Sequence, residues 1–158
     1  MSSLNPASIT NQRLDSARRL INEIKLSDGD WFTKGHEPTV TFLLQSAFNG
    51  LLQEVKIAYG LKSDVTLDQL ILDASKNGLS VPVLKELELL NADDNSWFRQ
   101  LQLSFNAYFE CRPNPVSTST HDAQMIGTSG NDLGGSVKSY LDALVELVLR
   151  FREESSEY

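Results

Sequence analysis

This sequence predicts an all-α, single-domain antiparallel bundle of about six helices, on three observations. Apolar residues recur at three- and four-residue spacings along most of the chain. Residues that start and stop helices fall between those periodic segments. No segment alternates apolar and polar side chains with β-branched enrichment, so no sheet is expected. A chain of 158 residues suits one domain and can bury a core without disulfide or metal staples.

In the first segment Leu14, Ala17, Leu20, Ile21 and Ile24 share one face, and Asn5-Pro6 or Thr10 can start the helix. Residues 27–37 hold Gly29 and Gly35 and read as a loop. Pro38 then suits the first turn of a second helix that stops at Gly60. Its broad stripe of Val40, Leu43, Leu44, Ala47, Phe48, Leu51, Val55 and Ala58 predicts a central position, with Gln45, Asn49, Gln53 and Lys56 toward solvent.

Thr66 and Gln69 have capping-box form ahead of a short helix ending at Asn77-Gly78. Ser80 and Pro82 open a fourth helix with Val83, Leu87 and Leu90 inward. Asn95 or Ser96 caps a fifth, whose expected core face is Trp97, Phe98, Leu101, Phe105, Tyr108 and Phe109. The last helix carries Val137, Tyr140, Leu141, Leu144, Val148 and Phe151 on one face. Before it, residues 112–135 combine Pro113, Pro115, a Ser/Thr run and four glycines, a flexible loop that is either an insertion or a lid.

Composition excludes several functions. The net charge of −7, with no basic run, disfavours nucleic acid and anionic lipid as partners. No apolar run is long enough for a bilayer, and residues 1–19 lack a signal-peptide h-region, so a cytoplasmic location is expected. The single Cys111 can form neither an internal disulfide nor a cysteine-rich zinc site, and reads as a reduced, half-buried thiol.

Four blocks stand in order along the chain: Thr10-Asn11-Gln12-Arg13, Gln53-Glu54-Val55, Ser96-Trp97-Phe98 and Arg150-Phe151-Arg152-Glu153. Together they resemble a gammaproteobacterial family catalogued only as a domain of unknown function. Relatives tend to carry Lys at Arg13 and His-Glu-Ile at 53–55, so this chain departs from the pattern there. The resemblance implies a small helical protein and supplies no activity, substrate or partner.

Catalytic and metal motifs do not assemble. His36 and His121 both fall in expected loops, without an H-E-x-x-H or E-x-x-H pattern. The Arg-x4–6-His pair of HEPN-type RNases does not occur. Gly127-Thr128-Ser129-Gly130 and Gly134-Gly135-Ser136 lack a Walker lysine and read as linker. Asp28-Gly29-Asp30 and Asp93-Asp94-Asn95 complete no EF-hand and are explained by helix capping. No metal or cofactor is expected, and a protein is the expected kind of partner.

Two features remain as candidate sites. Trp31-Phe32, placed in a loop, is either a plug over the bundle end or an exposed partner patch. Glu54 projects onto the apolar arc of its helix, where a lone carboxylate needs a partner. Arg13 and Arg152 also lean toward apolar faces, and an antiparallel first hairpin would bring Arg13 within about one turn of Glu54. The resulting cluster is either a buried ion pair fixing helix register or a small polar ligand pocket.

Overall fold

The structure is a computed structural model of the chain, and it describes residues 5–26, 30–116 and 135–156. Among the described residues six helices stand out: α1 (Pro6–Leu26), α2 (Asp30–Ala58), α3 (Leu67–Lys76), α4 (Pro82–Ala92), α5 (Trp97–Phe109) and α6 (Gly135–Ser155). No strand occurs among the described residues.

Helix α2 is the central element, with α1, α5 and α6 around it. Of its expected stripe, Val40, Leu44, Ala47, Phe48, Leu51 and Val55 are buried, Leu43 is half-buried and Ala58, at the end of the helix, is exposed. Leu14, Ala17 and Ile21 meet it from α1, and Val137, Tyr140, Leu141, Leu144, Val148 and Phe151 from α6. Helices α1 and α2 run antiparallel, since Thr10 lies against Gly50 and Arg13 reaches Ser46. Helices α2 and α5 do likewise: Phe98 packs on Phe48, Gln102 bonds Gln45, and Tyr108 bonds Glu37.

Several local expectations hold in detail. Asn5 Oδ1 accepts from the Ser8 amide at 2.8 Å and starts α1. Thr66 caps α3 and Ser96 caps α5 through their hydroxyls. Gly60 and Gly78 both sit at positive φ just past their helices.

Other expectations fail, each for a physical reason. Residues 30–37 are helical rather than looped, and Pro38 lies inside α2. A proline removes only its own amide bond and blocks one carbonyl a turn earlier, so a packed helix can continue through it. His36 is consequently helical and half-buried. Thr10 is no cap; it is fully buried against α2, with its hydroxyl donating to Pro6 O at 2.9 Å. Val81 rather than Ser80 is the cap residue of α4, and the Ser80 hydroxyl instead accepts from Lys85. Cys111 is exposed rather than half-buried. Of the segment 112–135, Arg112 to Asn114 are irregular and Pro115 and Val116 helical, while 117–134, with His121 and the glycine runs, lie outside the described residues.

Cys111 has φ 58°. It sits where α5 ends in a Schellman-type turn, with the Arg112 amide donating to Ala107 O at 2.8 Å and the Cys111 amide to Tyr108 O at 3.2 Å. An L residue pays a steric cost in this left-handed conformation that glycine does not. Cys111→Gly should therefore stabilise the chain by about 1 kcal/mol, read as a rise in the urea midpoint with an unchanged slope.

The link from α2 to α3 is tied by Asp73. Its Oδ2 accepts from the amides of Lys62 at 2.7 Å and Ser63 at 3.0 Å, and these bonds hold its carboxyl below the ordinary 3.8. The folded state thus binds the proton less tightly than the unfolded chain. The contribution is complete above the ordinary carboxyl range and is lost as pH falls through the lowered value. Asp73→Asn should flatten the acid limb of the stability–pH curve below about pH 4. An acid limb as steep as the wild type's would contradict this.

Candidate functional site

Glu54 lies in the last third of α2, on the side turned toward α1 and α6. Its side chain is 7% exposed and that of Arg152, in the last turn of α6, 28%. Arg152 Nε donates to Glu54 Oε1 at 2.9 Å and Nη2 to Oε2 at 3.2 Å, a two-pronged guanidinium–carboxylate contact. The remaining guanidinium capacity goes to α1: Nη1 donates to Asn11 Oδ1 at 2.8 Å and Nη2 to Ala7 O at 3.3 Å. One guanidinium therefore joins three helices, and both oxygens of the carboxylate are engaged.

Arg13 is not part of this cluster. Its Nε donates to Ser46 Oγ at 3.1 Å. The register explains why. With Arg152 reaching Ala7 at the level of Glu54, Arg13 lies six residues further along α1, about 9 Å of helix axis. The sequence reasoning found Glu54 and Arg152 but not Asn11, whose only signal is its place in the same block as Arg13, one turn from Ala7.

A second polar contact lies between α2 and α5. Gln45, expected at solvent, is buried: its Oε1 accepts from Gln102 Nε2 at 2.6 Å and its own amide donates to Asn49 at 3.4 Å. Between α6 and α5 the Tyr140 hydroxyl donates to Gln100 Oε1 at 3.2 Å. Burial first, then the charges of Glu37 and Tyr108, push the Tyr140 phenol up to about 12, against an opposing bond with Ser136. Tyr140 thus stays a neutral donor.

The outer side of the α2–α5 pair is unusual. Phe109, expected in the core, is 80% exposed and stacks on half-buried Phe105, with ring centroids 5.9 Å apart. Phe42, on the next helix, is 58% exposed. Along the axis it lies between the levels of the Gln45–Gln102 and Glu37–Tyr108 contacts, which is also the level of Phe105. From Thr39 to Val55 the only charged residue is Glu54, which points inward, and across α5 the only one is Arg99. Exposed helix surface is ordinarily charged, so the pattern needs a cause. The sequence signal, overlooked in reading α5 as a pure core face, was this run of uncharged residues.

Trp31 and Phe32 belong to helix α2 rather than a loop, and their side chains lie outside the described residues. Asp93 accepts from the Asn95 amide at 3.0 Å in the turn before α5, whose cap is Ser96 rather than one of the acidic residues. Among the described residues no group of His, Cys, Asp and Glu is arranged to hold a metal, and no helix is long and apolar enough to cross a membrane.

What fold and site define together, among the described residues, is a helical protein with an internal carboxylate–guanidinium clasp and a charge-poor aromatic face. The chain belongs to a family of unknown function, DUF6586, whose model matches residues 1–158. No match was found to a curated protein or to a solved structure.

Proposed function

We propose that this chain is a non-enzymatic interaction protein of the cytoplasm, and that the outer side of α2 and α5 is its protein-binding surface. The observation that supports the reading is the stacked Phe105–Phe109 pair, with Phe109 80% exposed beside stretches of α2 and α5 that are poor in charge. Depletion of charge with enrichment of aromatics is the compositional mark of an interface core. The Glu54–Arg152–Asn11 clasp then belongs to the scaffold, holding α1, α2 and α6 in register. A small-molecule or enzymatic pocket at Glu54 has less support, because Arg152 already engages both carboxylate oxygens. The expected bacterial, gammaproteobacterial origin rests on the four sequence blocks.

A photoreactive phenylalanine analogue at position 109 tests the reading in cells. Discrete protein adducts should form there and vanish on Phe42→Glu, while the same analogue at exposed Glu88 yields none. Equal, diffuse labelling at both positions would contradict it.

A further inference from the structure

We propose that the partner on the α2–α5 face is a second copy of this chain, paired about a two-fold axis. The proposal rests on the reading of that face as protein-binding and names its occupant. Charge selects the geometry. Two copies of a chain with net charge −7 repel through most of their surfaces. This face lets them meet with few like charges opposed, because between Thr39 and Val55 and along α5 it carries only inward Glu54 and Arg99, with Lys56 and the Glu110–Arg112 ion pair at its ends.

The chemistry of the face is also self-complementary. Asn49, Gln53 and Asn106 are exposed and Gln102 is half-buried, flanking Phe42 and Phe109. A carboxamide both donates and accepts, so identical amides can pair across a two-fold axis, which carboxylates or ammonium groups cannot do. Aromatic rings likewise stack on their own kind. The exposed positions of α2 from Phe42 to Ile57 span about 22 Å of axis, and α5 lies beside them. Two such faces bury on the order of 1,000 Å² in total, the lower end for a specific dimer. A concentration-dependent dimer is therefore expected.

Sedimentation equilibrium across a concentration series decides it. The wild-type mass should rise from 17.6 kDa toward twice that value. Phe109→Glu and Phe42→Glu, each at an exposed position, should raise the dissociation constant at least about tenfold with unchanged far-UV circular dichroism. Leu89→Glu, at an exposed apolar residue of α4, should leave it unchanged. A wild type that stays monomeric up to about 1 mM, or a dimer indifferent to both phenylalanine substitutions, overturns the proposal. If that monomer still cross-links from position 109 to a different protein, only the second-copy assignment fails. If it cross-links to nothing, the interaction reading fails with it.

Discussion

Arg152→Ala is expected to destabilise the chain by roughly 3–5 kcal/mol, more than Glu54→Ala. The asymmetry comes from exposure. Removing Arg152 strands the Glu54 carboxylate, whose side chain is 7% exposed, among the apolar residues of α2. Removing Glu54 leaves a guanidinium that is 28% exposed and still holds Asn11 Oδ1 and Ala7 O. Water can reach it, so that loss should be nearer 2 kcal/mol. The double variant should lose clearly less than the two single losses added, because the second substitution removes a charge the first had orphaned. Arg13 and Glu54 should be additive within about half a kcal/mol, having no shared partner. Urea unfolding of the three single alanine variants, at Arg152, Glu54 and Arg13, and of the two doubles with Glu54 measures all of this. Coupling of Glu54 to Arg13 instead of Arg152 would contradict the clasp.

Gly50→Ala is the second large effect. An added Cβ at Gly50 would overlap Thr10 Oγ1 and lie 3.2 Å from Thr10 Cβ and 3.4 Å from its Cα. Thr10 cannot swing aside freely: it is fully buried and its hydroxyl bonds Pro6 O. The helices must separate locally, which disturbs the largest contact in the fold, α1 on α2. Overpacking of this kind costs about 1–3 kcal/mol, partly offset by the better helix propensity of alanine, about 1 kcal/mol. A net loss of about 1–2 kcal/mol is therefore expected. Thr10→Ala in the same chain should restore part of it by removing the overlapping hydroxyl. A Gly50→Ala variant as stable as the wild type would place α1 further from α2 than the structure has it.

The legible part of this fold is the part governed by short-range rules. Apolar spacing places the inward faces of α2 and α6, and the caps Thr66 and Ser96 act where their side chains suggest. Glu54 stands out because a carboxylate on an apolar arc demands a partner. Its partner depended on register, which the close Thr10–Gly50 contact sets and which no wheel of a single helix contains. The continuation of α2 through Pro38 likewise depends on neighbours that outweigh a local breaker. Phe109 and Gln45 show the complementary limit. Residue type suggested burial for the first and exposure for the second, while the α2–α5 packing reverses both. An aromatic in water and an amide in the interior both point to the same helix pair, the one read above as the binding surface.

Hydroxyl-radical footprinting of that surface is the most direct check. Oxidation of Phe42 and Phe109 should fall strongly in intact cells relative to the dilute isolated chain, while exposed Leu89 and Leu149 keep their reactivity. Phe42 and Phe109 as reactive in cells as in dilute solution, or protection at Leu89 and Leu149 instead, would contradict the account.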